Sequence, residues 1–256
     1  MNSATIDLNS DLGESAEWLA NGTDRELMRW ITSANIACGG HAGDDQTMRR
    51  TIEFAKEANV AVGAHPSYPD RENFGRLEMP ISPAEVENFV REQILALARV
   101  AEGLGVRVKH VKPHGALYHA ANRNREVAAA IGRAVLALDS RVVVVGQAGA
   151  DCLEVWRGLG LRAAGEAFAD RTYEKDGTLR SRRLKGALIA HPEQAAKQAV
   201  EIATRHAVTL EGGLNLSVSA DTICIHSDTP SAAAIARAVS QALEAAGMGV
   251  QAIAER

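Results

Sequence analysis

A chain of 256 residues is long enough for one large domain with a single core, and its 46% hydrophobic and 23% charged residues are those of an ordinary globular protein. A formal net charge of -4 gives no handle for nucleic acid or for an anionic membrane surface, which leaves small-molecule work as the expected class. No stretch approaches the roughly 18 apolar residues of a membrane span, and the start MNSATIDLNSDLGE lacks the basic-then-apolar pattern of a secretory leader, so a cytoplasmic protein is expected.

Short β-branched runs alternate with helical patterns along the chain, the signature of parallel strands joined by helical crossovers. Strands are predicted at 5–9, 33–37, 60–64, 108–112, 141–146, 161–168 and 222–226, with a short terminal strand at 250–253. Met48, Ile52 and Ala55 place an apolar stripe on the helix after Gly43. Ser82, Pro83 and Glu85 form a capping box with proline at the first helical position, and Val86, Phe89, Val90, Ile94, Leu97, Ala101 and Leu104 follow at helical spacing. Pro192 and Pro230 sit where first-turn prolines of two later helices belong. The polar, charged segment 170–183 lies between a strand and a helix and reads as a mobile lid, and 211–214 reads as a Gly-rich turn. Cys38, Cys152 and Cys224 are far apart and form no CxxC pair, so buried, reduced thiols are expected. No linker rich in Pro, Ser or Gly divides the chain, and residues 1–256 are read as a single domain.

In a parallel barrel the outward side chains pack on helices, while inward positions near the strands' C-terminal ends hold polar groups. The first strand follows this rule, with Ile6 and Leu8 outward and Asp7, Asn9 and Asp11 inward. Val108, His110, Lys112 and His114 share one face of the fourth, and Cys224 and His226 oppose Ile223 and Ile225 in the seventh. Strand ends repeat the pattern: Asp11 and Glu14, His41 and Asp44, His65, His114, Glu166 and Asp170, then His226 and Asp228. Groups scattered in sequence therefore converge at one barrel mouth, where active sites are built.

Carboxylates and imidazoles gathered there suit either a divalent metal that activates water or metal-free acid and base catalysis. Asp11, His65 and His114, each ending a different strand, make a possible three-ligand metal set, although no compact HExxH-type motif accompanies them. Lys112 has two readings, a cation paired to Asp7 or Asp11 and an anchor for a substrate carboxylate or phosphate. Arg71 and Arg76, in the long loop after His65, either bind an anion or pair with Asp70 and Glu72. Pro113 is expected to be trans. The chain has no G-x-x-x-x-G-K-[ST] loop, no G-x-G-x-x-G after a strand and no G-x-S-x-G elbow, so any ATP would be held by another chain and serine hydrolase chemistry is disfavoured.

The motifs Asp7-Leu-Asn-Ser-Asp-Leu-Gly-Glu14, Ser33-Ala-Asn-Ile-Ala-Cys-Gly-Gly-His-Ala-Gly-Asp44, Gly63-Ala-His-Pro-Ser, Asp70-Arg-Glu-Asn-Phe-Gly-Arg76, His110-Val-Lys-Pro-His-Gly-Ala-Leu-Tyr118 and Glu166-Ala-Phe-Ala-Asp-Arg-Thr-Tyr173 together resemble the LamB/YcsF family of 5-oxoprolinase A subunits, from end to end. The resemblance implies a single-domain (βα)7 barrel related to the glycoside hydrolase and deacetylase superfamily. It further implies opening of the 5-oxoproline lactam at the expense of ATP, with subunits B and C as partners. Catalytic roles are expected for Asp11, His41, His65, Lys112 and His114, and substrate binding for Asn9, Glu14, Asn35, Asp44, Arg76, Tyr118, Glu166, Asp170 and His226. A divalent metal at Asp11, His65 and His114 would follow from the related deacetylases. A stand-alone metal-dependent amidase or deacetylase, and a non-catalytic metabolite-binding subunit, are the alternatives. Three positions depart from the family pattern: Gly40 replaces a bulky aromatic and would enlarge the pocket, Arg180 lies in Leu179-Arg-Ser-Arg182, and Ser227 replaces a glycine.

Overall fold

The computed structural model describes residues 4–255, so residues 1–3 and 256 lie outside the described residues. Seven parallel strands close on themselves: β1 (Thr5–Leu12), β2 (Ser33–Ala37), β3 (Ala61–His65), β4 (His110–Val111), β5 (Val143–Gln147), β6 (Arg162–Phe168) and, after a hairpin of β7 (Ala207–Thr209) and β8 (Asn215–Ser217), β9 (Thr222–Cys224). Each pairs with its neighbour in the order given, and β9 returns to β1 with Asn9 opposite Cys224. Helices cover the outside, as the near-continuous apolar runs of the strands require. Leu8, Ile36, Ala64, Val111, Val144 and Ile223 are all fully buried. Burying an aliphatic side chain of Val, Leu or Ile size contributes about 1.5–3 kcal/mol.

Strand positions agree closely with expectation, and the differences have local causes. β1 runs on to Leu12 because Asp11 and Leu12 keep their register with Asn35 and Ile36. β4 shrinks to two residues, since Pro113 has no N–H to extend the ladder and 106–109 approaches as loop. The terminal pairing is Gly249–Val250 (β10), parallel to the start of β1, while Ile253 begins a 3-10 turn. The β7–β8 hairpin adds two short strands to the predicted set, and its turn falls at 211–214 as expected.

The helix Pro83–Gly103 begins with the anticipated reciprocal cap, Ser82 Oγ accepting from Glu85 N at 3.3 Å and Ser82 N donating to Glu85 Oε2 at 2.8 Å. Pro192 opens the helix Pro192–Arg205. Pro230 does not open a helix: Ser231, with φ of 64°, intervenes as the cap of Ala232–Ala245. No peptide bond among the described residues is cis, Pro113 included. All three cysteines are free and buried, and burial pushes the Cys38 and Cys152 thiols up to about 12. No helix among the described residues is long and apolar enough to cross a membrane.

One glycine sets the spacing under the site. A Cβ on Gly63 would fall 2.1 Å from His110 Nε2, so this residue of β3 must lack a side chain for the neighbouring strand's imidazole to lie across it.

Candidate active site at the barrel mouth

The inward polar residues stack in layers along the barrel axis. At the N-terminal end, Asp7 accepts from Thr32 Oγ1 and Ser33 Oγ at 2.7 Å each, and also from Thr222 Oγ1. Burial raises its carboxyl pKa, and the hydroxyls of this closed cage oppose that rise only in part. The middle layer joins Asn35 Nδ2 to Asn9 Oδ1 and Asp11 Oδ1 at 2.7 and 2.9 Å, His110 Nε2 to Asn35 Oδ1 at 2.9 Å, and Asn9 Nδ2 to Glu166 Oε1 at 3.0 Å. Both amide hydrogens of Asn35 are thus spent inside. Burial drives the His110 pKa down to about 3, leaving it neutral.

Lys112 lies on top of this layer, 3% exposed, and ties three strands together. Its ammonium is 2.8 Å from Glu166 Oε1, 2.9 Å from Asp11 Oδ1, and 3.2 Å from both Asn9 Oδ1 and Cys224 Sγ. Burial opposes the charge, but Asp11, Cys224 and Glu166 outweigh it and hold the ammonium pKa well above its ordinary value. An ammonium has three hydrogens, and all are committed to protein acceptors. The pairing reading of Lys112 is seen here, with Asp11 and Glu166 rather than Asp7 as partners, and the residue also lines the cavity above.

Above the lysine is a close group of imidazoles. His65 Nδ1 lies 2.7 Å from the Lys112 carbonyl oxygen, and His114 Nε2 lies 3.0 Å from that of Phe74. Carbonyls only accept, so each of these nitrogens carries the hydrogen, and in the neutral rings the other nitrogens, His65 Nε2 and His114 Nδ1, carry lone pairs. Those two atoms face one another at 3.1 Å. Asp11 Oδ2 is 3.4 Å from His65 Nε2, and Glu14 Oε1 is 3.5 Å from His114 Nδ1 and 3.0 Å from His41 Nε2. His41 stacks on His114 at 3.7 Å between ring centroids. Two lone pairs beside two carboxyl groups make a site that can take up a cation, either a shared proton or a metal ion.

Charge in this group is unevenly divided. Burial pushes Asp11 up, but His65 and Lys112 outweigh it and hold the carboxyl well below its usual range. Burial and the charge of Asp11 push Glu14 up to about 7. Burial takes His41 down to about 2 and His114 well below the imidazole range. Among the described residues, Glu14, His41, His65 and His114 each offer a ligand atom within 4.8 Å of the others, and Asp11, Cys224 and His226 form a second such group. Of the anticipated trio, His65 and His114 fall in one group with Glu14 and His41, while Asp11 falls in the other and approaches the first through His65 Nε2 at 3.4 Å.

The cavity over these groups measures about 610 Å³ and is lined by Asp11, Glu14, His65, Arg76, Lys112, His114, Tyr118, Glu166 and His226 from the expected set. Several expected residues are elsewhere. Asn9 and Asn35 lie beneath the floor as scaffold. His41 backs the cluster from behind and does not line the cavity, and Asp170 is fully buried behind His226. Asp44 is a helix cap, accepting from Thr47 N at 2.8 Å at the start of Asp45–Glu57, because an Asp before a helical run meets the free N–H groups of the first turn. Asp44→Ala is accordingly expected to lower stability by about 1 kcal/mol, read by chemical denaturation, without changing turnover.

Arg76 bonds Asp228 Oδ2 at 2.8 Å, and Arg182 bonds the same oxygen at 2.7 Å. Two guanidinium groups on one carboxylate leave surplus positive charge at the rim. Arg71 instead donates to the Gly43 carbonyl. Segment 170–183 does cover the cavity, through Thr178, Leu179, Ser181 and Arg182, and it is braced by β-bridges between Arg171 and Leu188 and between Tyr173 and Leu179. Arg182, His119, Gln147 and Phe168 also line the cavity and fall outside the expected set. Arg182, a charge in a predicted lid facing Asp228, carries a signal readable in sequence, as do Arg171 and Arg183, which line the cavity from the same segment. Gly40 does not enlarge the cavity: a Cβ there would lie 2.3 Å from Gln93 Oε1 and 2.4 Å from Ser67 Oγ, so its space is already filled. Arg180 points back into its own loop, to Glu174 and the Lys185 carbonyl. Ser227 does reach the cavity, with a buried hydroxyl that has no partner among the described residues.

A closed (βα)7 barrel with ionisable groups converging at the C-terminal mouth defines an enzyme-type scaffold for small molecules. The chain belongs to the LamB/YcsF family, whose model matches residues 6–256. It is 49% identical to the A subunit of the 5-oxoprolinase of Chloroflexus aggregans, over 96% of this chain and 98% of that one. It is 47% identical to the corresponding A subunit of Methylococcus capsulatus, over 97% and 96%. The crystal structure of a lactam utilization protein from Thermus thermophilus is similar with a TM-score of 0.90 at 44% identity, covering 97% of this chain and 100% of that one.

Proposed function

We propose that this chain carries the ring-opening step of an ATP-dependent 5-oxoprolinase, converting the 5-oxo-L-proline lactam to L-glutamate with subunits B and C. The observation that carries this reading is the close approach of Asp11, His65 and His114 at the floor of a cavity, with the free lone pairs of the two imidazoles 3.1 Å apart, in a relative of 5-oxoprolinase A subunits. Lys112 keeps Asp11 ionised, and His65 Nε2 and His114 Nδ1 present a basic pair to which an attacking water gives its proton. Surplus charge from Arg76 and Arg182 at the rim suits the substrate carboxylate. ATP is held by the partner subunits, and consumption of ATP together with three free thiols suits the cytoplasm.

The facing lone pairs also fit a divalent cation, which Glu14, His65 and His114 would hold, with Asp11 beside them. Such an ion supplies Lewis-acid polarisation and a water that ionises near neutrality. The same fit favours a second reading, a metal-dependent amidase acting alone.

The experiment mixes the purified chain with subunits B and C, 5-oxoproline and ATP, and measures glutamate while each component is omitted in turn. Glutamate should form only in the complete mixture. Full turnover without this chain would overturn the proposal, and amide hydrolysis by this chain without ATP or partners would establish the second reading.

A further inference from the structure

Opposite the imidazole group, a second acid–base pair stands at the ends of β6 and β9. Asp170 is fully buried, and its acceptor capacity is turned to one short segment. Its Oδ1 is 2.9 Å from His226 Nδ1, and its Oδ2 accepts from His226 N at 3.0 Å and from Thr229 Oγ1 at 2.5 Å. Burial opposes ionisation, but the His226 charge and these hydrogen bonds outweigh it and hold the carboxyl below its usual range. An ionised carboxylate only accepts, so His226 Nδ1 carries a hydrogen in every protonation state. Phe168 stacks parallel to the ring, centroids 5.4 Å apart at 11°, which fixes the ring plane. Any proton that His226 exchanges must therefore be on Nε2. His226 lines the cavity, and no described residue hydrogen-bonds that nitrogen.

This is the arrangement by which a buried carboxylate orients an imidazole and stabilises its cationic form. A ligand atom of His226 lies within 4.8 Å of one on Asp11, so a group seated between the two walls touches both. Cleaving a lactam imposes a need on that second wall. Water adds to the carbonyl carbon, and its proton goes to the His65 and His114 pair. The carbon–nitrogen bond then breaks only if the ring nitrogen, a poor leaving group as an anion, takes up a proton. If the lactam oxygen carries a phosphoryl group from ATP, the tetrahedral carbon has two exits: losing phosphate restores the lactam, whereas protonation of nitrogen opens the ring to an acyl phosphate, which a second water converts to glutamate and phosphate.

We propose that His226, oriented by Asp170, is the acid that delivers this proton through Nε2, and so decides between ring opening and futile loss of phosphate. Asp170 is the positioning residue. The inference rests on the 5-oxoprolinase reading and names a residue role within it; solvent restores the proton to His226 as the His65 and His114 pair releases its own.

The test uses the complex with subunits B and C, measuring glutamate and phosphate separately for the wild type, His226→Ala and His226→Gln. Expected for both variants are a loss of glutamate formation of about 100-fold or more with KM little changed, and a ratio of phosphate to glutamate well above that of the wild type. Added imidazole should restore part of the activity of His226→Ala, because the 610 Å³ cavity admits it. Wild-type rates and ratio in either variant would overturn the proposal. So would a loss with unchanged ratio and no rescue, which marks a structural role. Should His226→Ala fail to fold, His226→Gln keeps an amide to meet Asp170 and carries the ratio measurement alone. An inactive wild-type complex would instead sink the 5-oxoprolinase reading, which keeps the two failures apart.

Discussion

Lys112→Met should cost the fold about 3–5 kcal/mol, the usual penalty for removing one partner of a buried ion pair. Methionine approximates the length of the lysine stem, so the loss is electrostatic. It would leave Asp11 and Glu166, 6% and 1% exposed, facing each other across the barrel axis with no cation between them. For a chain of this size such a loss lowers Tm by roughly 6–20 °C, and a denaturant titration gives the free energy directly. The cost must also depend on pH. Asp11 in the wild type has a depressed pKa, so it adds stability that is present above its unfolded value and is lost as pH falls through the folded one. In the variant Asp11 keeps His65 but loses Lys112 as a counter-charge, so less of that stability is gained as pH rises. The gap between the two proteins should therefore widen from about pH 4 to pH 7. Changing Glu166 to Gln in the Lys112→Met background should recover part of the loss, since one of the two uncompensated charges is gone. A cost below about 1 kcal/mol that does not vary with pH would mean that the lysine is not what holds these carboxylates.

The same residues explain how much of the barrel is readable in the chain. Seven strands are legible because each carries an apolar run bounded by a turn or a helix cap, a signal contained in a few neighbouring residues. Inward placement of Asp7, Asn9 and Asp11 follows from the two-residue period of a strand. Depth along the barrel axis is not legible. Asp7, Asn9 and Asp11 look alike in sequence, yet one lies in a hydroxyl cage, one in the scaffold and one at the cavity floor, because depth is set by inter-strand register such as Asp11 opposite Asn35. Asp44 departs from expectation for a related reason: its capping role uses the backbone three residues on, while the expected role required a cavity wall that its side chain does not reach. The Asp170 and His226 pair is hard to join from sequence, since 56 residues separate them and their meeting depends on the register of β6 against β9.

The largest effect on catalysis is expected at the other wall. His114→Ala and Asp11→Asn should each lower glutamate formation by the complex by about 100- to 10,000-fold, the range over which positioned acid–base groups act. The two substitutions fail for different reasons. His114→Ala removes Nδ1, half of the facing pair, and frees the Phe74 carbonyl, which a left-handed residue with φ of 55° turns towards the ring. Asp11→Asn keeps the shape but withdraws the charge that faces both His65 and Lys112, so a cation between the two imidazoles loses a counter-ion. Elemental analysis of the purified chain then decides what that cation is. Stoichiometric metal in the wild type, lost in His114→Ala, would identify a metal ion; none in either, with a nitrogen NMR spectrum of His65 and His114 sharing one extra proton, would identify the proton. Both answers leave the catalytic prediction unchanged: without a metal the two nitrogens take the water's proton between them, whereas a metal ion would occupy both lone pairs and leave Asp11, 3.4 Å from His65 Nε2, as the base. Turnover at the wild-type rate in both variants would remove Asp11 and His114 from the reaction and move water activation away from the floor of the barrel.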